Sequence, residues 1–272
     1  MMNEERIGAL KMADTFRSDR EESIKYLFDD AYDDLKAAYP IESTAGEGDD
    51  FERAVRLLKW LSANTKHKGN YDNHIAPHAK PLLDYSFGNN ENGINCAALS
   101  AALTEILLAV GIKARCVFMM PLSPYDSDNH VVVEAYSEKL GKWYMLDPTY
   151  GLYASYNGVP QSIMEIRALL ADGEKPEFNG DAHYNGEKYD VEYTYDYYAK
   201  NMYWFFVNDI QGYSRDDAVV LAIAPVGFDA KKFRLANIDY RIKLYGTNEF
   251  IEKWREDEER SAYIYVSDDI LK

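Results

Sequence analysis

The sequence predicts an α+β protein in which one helix packs on an antiparallel sheet. The helix is predicted from an apolar stripe in residues 97–110, whose members recur at spacings of three and four: Leu99, Leu103, Ile106, Leu107 and Val110. The sheet is predicted from three β-forming segments that follow the helix, at 113–120, 131–136 and 142–146. An amphipathic helix needs a partner to cover its apolar stripe, and the neighbouring strands can provide it.

The chain is predicted to have three parts. Residues 1–45 form a helical N-terminal extension, residues 46–215 the core, and residues 216–272 a β/α extension that packs on the core. The first boundary is predicted from residues 40–50, which combine a proline, two glycines and several acidic residues. That composition is typical of a loop.

Periodicity and composition predict the remaining elements. Helical spacing of apolar residues predicts helices over 20–36 and 51–63. Segment 163–170 is also predicted to be a helix, and segment 250–260 a short charged helix. Segments 219–226 and 233–244 are predicted to be strands. The aromatic stretch 189–206 is interpreted as rings that pack on a sheet, with a platform for peptides or sugars as the alternative.

The composition is that of a globular protein, with 47 % hydrophobic and 28 % charged residues. No run of about 18 apolar residues predicts a transmembrane helix, and residues 1–5 lack a secretory signal pattern, so a cytoplasmic location is predicted. The net charge of −16 argues against nucleic acid as a partner, because phosphates would be repelled. No cofactor and no membrane partner is predicted, and the oligomeric state is left open.

Three residues with complementary chemistry lie at the edges of the predicted core elements. Cys96 is placed in the first turn of the helix, with Asn95 as its N-cap. The helix dipole and the unpaired backbone N–H groups of that turn favour a thiolate. His130 begins the second strand and Asp147 ends the third. The alternatives are a buried structural cysteine and a structural or solvated histidine.

The predicted hairpin brings the last two of these residues together. If Tyr136 pairs with Gly141 around a four-residue loop, His130 falls directly opposite Asp147. The carboxylate could then accept a hydrogen bond from one imidazole nitrogen and leave the other nitrogen for a thiol. The register therefore predicts a Cys–His–Asp arrangement.

No metal site is predicted. His74 and His78 have the spacing of two ligands on one helical face, but Pro77 between them disrupts a helix. Asp126 and Asp128 lack the glycine and downstream glutamate of a calcium loop. The second cysteine, Cys116, lies in the middle of a predicted strand and is interpreted as buried core.

These segments resemble the motifs of the transglutaminase-like superfamily. The similarity lies in the cysteine segment (Cys96, Ala98, Leu103 and 107–115), the histidine segment (129–134) and the aspartate segment (142–149). It covers roughly residues 50 to 155. One departure is that Gly93 lies three residues before the cysteine, where the family often has a glycine two residues before it.

The resemblance implies a papain-like core and acyl transfer through a thioester. Cys96 would be the nucleophile, His130 the acid and base, and Asp147 the residue that orients the imidazole. The Cys96 backbone N–H would stabilise the oxyanion with a second donor from upstream, for which Asn64, Asn92 and Asn95 are the candidates.

The predicted activity is hydrolysis of an amide in a peptide or protein substrate, by a cysteine protease or amidase, because water is the default second nucleophile. Two alternatives remain open. One is a protein-glutamine transglutaminase or deamidase, which uses the same thioester. The other is a non-catalytic module on the same fold that binds peptides or glycans.

Overall fold

The computed structural model describes residues 3–28, 30–213 and 218–272. The helices in these residues are α1 (Glu4–Met12), α2 (Asp33–Ala38), α3 (Ile41–Ala45), α4 (Asp50–Asn64), α5 (Ala79–Gly88), α6 (Cys96–Ala109), α7 (Ile163–Ala171), α8 (Val191–Asn201), α9 (Ala230–Tyr245) and α10 (Glu249–Arg260). The strands are β1 (Lys25–Tyr26), β2 (Lys66–His67), β3 (Gly93–Ile94), β4 (Ala114–Met120), β5 (His130–Ser137), β6 (Lys142–Asp147), β7 (Leu152–Tyr156), β8 (Val159–Pro160), β9 (Glu177–Phe178), β10 (Trp204–Asn208), β11 (Ile210–Gln211), β12 (Val220–Ile223) and β13 (Tyr263–Tyr265).

One nine-stranded sheet organises the described part of the chain. Its strand order is β13-β12-β10-β4-β5-β6-β7-β8, with β9 paired to β7. The three strands predicted at 113–120, 131–136 and 142–146 are β4, β5 and β6, and they are antiparallel neighbours. The predicted α+β fold is therefore confirmed. None of the helices in the described residues is both long and apolar enough to cross a membrane.

Helices cover both faces of this sheet. Along β5 the side chains alternate, so that Val133 packs in a core with α4, α5 and α6, while Val132 packs in a second core with α7 and α8. Helix α6 is buried along nearly its whole length, which confirms the helix predicted at 97–110. Asn95 caps it as predicted, since its side-chain oxygen accepts a hydrogen bond from the Ala98 backbone N–H at 3.0 Å.

The β5–β6 hairpin has a different register from the predicted one. Ser137 pairs with Lys142, and Gly141 lies in the loop with a φ of +65°. A glycine adopts that left-handed conformation at little cost, which suits it to the loop rather than to a paired position. Val133 pairs with Leu146, so Asp147 falls opposite Val132 rather than His130. The error is two residues, and an even shift leaves His130 and Asp147 on one face of the sheet.

A short parallel pair of strands holds the chain beside the start of α6. In it, Lys66 pairs with Gly93 and His67 pairs with Ile94. A side chain at position 93 would bring its Cβ to 2.7 Å from Lys68 Cβ and 3.1 Å from the Lys66 carbonyl oxygen. Glycine therefore permits the close approach of β2 to β3, and this approach places His67 next to the residues that precede Cys96.

Two secondary-structure predictions are wrong. Segment 233–244 is not a strand but part of helix α9, which Asp229 caps by accepting from the Lys232 backbone N–H at 2.9 Å. Its β-branched and aromatic residues suggested a strand, but its buried residues Phe233, Asn237 and Ile238 have helical spacing. Segment 20–36 is not one helix, because Lys25–Tyr26 pairs with Ile210–Gln211 and a helix, α2, begins only at Asp33. Residue 29 of this segment lies outside the described residues.

Four other predicted elements are present. Helices α4, α7 and α10 correspond to the predictions at 51–63, 163–170 and 250–260, and β12 lies within the predicted strand 219–226. The aromatic stretch 189–206 forms helix α8 and strand β10 rather than one face of a sheet. Most of its rings pack in the second core, which includes the fully buried Tyr198 and Phe205, and in a third cluster, which includes Trp204 and Phe206.

Candidate active site

Cys96, His130 and Asp147 lie together at one end of the central sheet. Cys96 is the first residue of α6, His130 the first of β5 and Asp147 the last of β6. Because β5 and β6 are antiparallel, the start of one strand and the end of the other meet at the same end of the sheet. His130 Nε2 lies 2.6 Å from Asp147 Oδ2, which is a hydrogen bond. The contact joins diagonal neighbours rather than directly opposed residues, and such neighbours are within reach of long side chains.

Asp147 is fully buried, and both of its oxygens accept hydrogen bonds. Oδ2 accepts from His130 and from the Tyr198 hydroxyl at 2.6 Å, and Oδ1 accepts from the Thr149 backbone N–H at 2.9 Å. Burial alone would raise the pKa of this carboxyl group, but the charge of His130 and these hydrogen bonds outweigh it and lower the pKa. Asp147 is therefore a carboxylate at neutral pH.

The thiol and the imidazole perturb each other in opposite directions. Burial raises the pKa of Cys96, but the neighbouring imidazoles of His130 and His67 outweigh it and lower the pKa to about 6. Burial lowers the pKa of His130, but the charge and hydrogen bond of Asp147, together with Cys96, raise it to about 10. Between these values the favoured pair is a thiolate and an imidazolium. Since Nε2 of His130 bonds Asp147, Nδ1 is the nitrogen left for the thiol.

A second imidazole, that of His67, faces Cys96 from β2. Its backbone N–H donates to Asn185 Oδ1 at 2.6 Å, and its Nδ1 lies 2.9 Å from the Tyr184 hydroxyl. These contacts orient the ring and leave Nε2 as the nitrogen available to the thiol. Sequence reasoning missed His67, because its position depends on the pairing of β2 with β3. The glycine at position 93, next to the cysteine segment, is the signal that could have suggested a close strand there.

The thiol opens into a cavity of about 300 Å³. Its walls come from the start of α6, from the segment before β5, from α8 and from the two C-terminal helices. Tyr197 lines it from α8, Arg241 from α9, and Phe250 and Trp254 from α10. The volume is at the lower end of the range for small-molecule sites, so it accommodates a small portion of a substrate.

Comparison with models of known protein families gives a match that covers the central residues of this site. Residues 37–148 match the family model of the transglutaminase-like superfamily. The match includes Cys96, His130 and Asp147. Members of the superfamily are usually cysteine-dependent enzymes, and the chain fits a thiol-dependent acyl-transfer enzyme. Comparisons with curated proteins and with solved structures gave no significant match.

The three asparagines proposed from the sequence occupy different places around the transglutaminase-like core. Asn64 donates to the Trp60 carbonyl oxygen at 2.7 Å and Asn92 to the Tyr85 carbonyl oxygen at 2.9 Å. Both line a separate depression rather than the cavity at Cys96. Asn95 does line that cavity, but its amide nitrogen donates to Asn73 Oδ1 at 3.0 Å.

The polar residues considered as metal ligands have other contacts in the structure. His74 bonds Asp72, and His78 lies 2.9 Å from Glu105. Asp126 and Asp128 both pair with Lys200. Across residues 3–28, 30–213 and 218–272, no group of three or more His, Cys, Asp or Glu side chains has the arrangement of a metal site. Cys116 is buried on β4, as its sequence context predicted.

Proposed function

We propose that the protein is a transglutaminase-like cysteine hydrolase that cleaves an amide bond in a peptide-like substrate through a thioester. The main support is the pair formed by Cys96 and His130, in which the thiol is made more acidic and the imidazole more basic at the wall of a cavity. A buried structural cysteine has no need of such a partner.

The first half-reaction forms the thioester. The Cys96 thiolate attacks the amide carbonyl carbon, and the carbonyl oxygen takes on negative charge. The His130 imidazolium gives its proton to the departing amine as the C–N bond breaks. Asp147 holds the imidazole through Nε2, and the Tyr198 hydroxyl helps to fix the carboxylate. This arrangement keeps Nδ1 of His130 directed toward the sulfur.

The second half-reaction releases the acyl group. Neutral His130 takes a proton from a water molecule, the resulting hydroxide attacks the thioester carbonyl, and the C–S bond breaks to give a carboxylic acid and the thiolate. An amine in place of water would give transamidation. Hydrolysis at a glutamine side chain would give deamidation. Water is the default nucleophile, so hydrolysis is the proposed reaction.

His67 is the proposed side-chain donor to the oxyanion, with the Cys96 backbone N–H as the other donor. The Cys96 N–H belongs to the first turn of α6, where it has no partner within the helix. His67 lines the same cavity as Cys96, and its Nδ1 can accept from the Tyr184 hydroxyl, which would leave the proton on Nε2. Asn64 and Asn92 line another depression, and the amide of Asn95 is used by Asn73.

Replacing His67 with alanine is expected to lower kcat by about 10²–10³, with a smaller change in KM, because an oxyanion donor acts only as charge develops. The measurement is steady-state hydrolysis of a peptide amide. His67→Gln, which retains an N–H donor, is expected to recover part of the loss.

His74→Ala is the matched control, since His74 is a partly exposed histidine that bonds Asp72 and does not line the cavity. It should keep the parental kcat. An unchanged kcat in His67→Ala, or an equal loss in the control, would remove His67 from the proposed site.

The proposed reaction is tested by its pH profile and its products. Peptide amides are incubated with the protein across a range of pH, with and without an added primary amine, and the products are read by mass spectrometry. For hydrolysis, kcat/KM should rise as the pH passes about 6, where the Cys96 thiolate forms, and fall as it passes about 10, where the His130 imidazolium loses its proton.

The products separate the reactions that share the thioester. Hydrolysis gives a shortened peptide with a new carboxyl group whether or not the amine is present. Incorporation of the amine would favour a transglutaminase, and conversion of glutamine to glutamate in an intact peptide would favour a deamidase. A rate that rises only near the pKa of an ordinary thiol, about 8.5, would contradict the proposed activation of Cys96.

A further inference from the structure

A guanidinium group without a carboxylate partner lines the cavity at Cys96. Arg241 Nε donates to Asn237 Oδ1 and its Nη2 donates to Asn129 Oδ1, each at 3.1 Å. Both acceptors are neutral amides. Among the described residues, no carboxylate oxygen lies within 4.0 Å of a guanidinium nitrogen of Arg241, which is the distance limit for an ion pair. A guanidinium has five N–H donors, so Arg241 retains donors for a ligand.

The surroundings of Arg241 make a positive charge costly there. Burial is the largest influence on this group and lowers its pKa, and the nearby Arg234 lowers it further. The charges of Asp128, Tyr245 and Cys96 act in the opposite direction, but the net effect is a lowered pKa. Two other enclosed arginines have a counter-charge: Arg115 lies 2.7 Å from Glu134, and Arg234 lies 3.2 Å from Glu258. The buried Arg167 instead donates to three backbone carbonyl oxygens, whereas Arg241 has two amide acceptors and faces a cavity. A partly desolvated cation without such a partner gains stability when an anion binds beside it.

The position of Arg241 places this charge near the reacting atoms. Its acceptor Asn129 is the residue immediately before His130, and Arg241 and Cys96 line the same cavity. The carboxylate on this wall, Asp128, is already engaged by Lys200 at 3.5 Å and by the Tyr197 hydroxyl at 3.2 Å. Trp254 lies beside the guanidinium, with its ring centroid 5.7 Å away, and closes that side.

We propose that Arg241 binds a carboxylate of the substrate, so that the enzyme acts on amides that carry an anionic group close to the scissile bond. This inference rests on the proposed function, because it concerns the same cavity and the same nucleophile. Two forms of peptide supply the group: a free C-terminal carboxylate near the cleaved amide, or the side chain of an aspartate or glutamate. Arg is suited to the task because its planar guanidinium can bind a carboxylate through two hydrogen bonds.

The test compares alkylation of Cys96 by reagents that differ only in charge. One pair is N-iodoacetylglycine and N-iodoacetylglycinamide, which probes a terminal carboxylate. The other pair is N-iodoacetyl-aspartic acid α-amide and N-iodoacetyl-asparagine α-amide, which probes a side-chain carboxylate. The ratio of the acid rate to the amide rate is measured at a pH where Cys96 is ionised. Arg241→Gln is expected to lower this ratio by about tenfold or more for the pair whose carboxylate reaches the guanidinium.

Two further variants test whether the change in the acid-to-amide ratio is specific to the guanidinium group of Arg241. Arg241→Lys keeps a positive charge and is expected to retain part of the preference for the acid. Arg255→Gln removes one positive charge from α10, where Arg255 pairs with Asp239 and Glu259 outside the cavity, and should leave the ratio at the parental value. Circular dichroism checks the fold of each variant.

Each outcome decides a different question. A lower ratio for the glycine pair supports a terminal carboxylate, and a lower ratio for the aspartate pair supports an acidic side chain. If Arg241→Gln slows the acid and the amide equally, or leaves the ratio unchanged, the inference is overturned while the proposed function stands. If Cys96 of the parent protein reacts no faster than an ordinary thiol with every reagent, the proposed function fails and the inference fails with it.

Discussion

Cys96→Ala is expected to abolish turnover while leaving the protein folded. The sulfur forms the bond to the acyl group, and no neighbouring side chain can replace it, so the loss should be of the order of the 10⁶ found on removing a serine nucleophile. Cys96 is a small, partly exposed residue at the start of α6. Its truncation leaves little cavity, and the free energy of unfolding should fall by only about 1 kcal/mol.

The measurement is hydrolysis of a panel of peptide amides, with circular dichroism to confirm folding. Cys116→Ala is the matched control, because Cys116 is the other cysteine of the chain and is buried on β4. It should keep the parental rate. If Cys96→Ala hydrolyses the best substrate at the parental rate, Cys96 is not the nucleophile, and a non-catalytic binding module becomes the better interpretation of the fold.

Asp147→Asn is expected to lower turnover by about 10⁴, by analogy with the same change in serine proteases. The carboxylate accepts from His130 Nε2, whereas an amide can present its N–H₂ group there and favour the wrong tautomer. The substitution also removes the charge that raises the pKa of His130, so the thiolate–imidazolium pair is less populated. The rate of peptide hydrolysis and the pH midpoint of Cys96 alkylation, which should move upward, are both measured.

Tyr198→Phe separates the role of the charge from that of the hydrogen-bond network. It removes the hydroxyl that donates to the same Asp147 oxygen but retains the carboxylate and the ring. Loss of one hydrogen bond to a charged group is worth about 1.5–3 kcal/mol, so its effect should be well below that of Asp147→Asn. Equal losses in the two variants would mean that Asp147 acts mainly as part of the packing.

The features predicted correctly from sequence are those that depend on local patterns. The stripe at residues 97–110, the cap at Asn95 and the runs of β-formers each depend on neighbouring residues in the chain. The contact between His130 and Asp147 was expected for a reason that was only partly right. The predicted register was wrong because Gly141 belongs to the loop. Side chains on a strand alternate between the two faces of the sheet, so a shift of two residues still leaves His130 and Asp147 on the same face.

The features that were missed come from distant parts of the chain. His67 reaches the thiol through the pairing of β2 with β3, and Tyr198 reaches Asp147 from a helix that follows the core motifs. Arg241 lies on a segment that its composition predicted to be a strand, so its place at the cavity could not be anticipated. No local pattern in the sequence encodes these long-range approaches, because they depend on how the helices cover the sheet.

The parallel pairing of residues 66–67 with residues 93–94 links the reactivity of the thiol to completion of the fold. Cys96, His130 and His67 come from three separate segments, and the pairing must form before the second imidazole meets the sulfur. In a nascent or unfolded chain, Cys96 is an ordinary thiol, mostly protonated at neutral pH. The thiol of Cys96 is therefore not activated while the polypeptide is being synthesised. The rate at which Cys96 is alkylated reports how far folding has progressed.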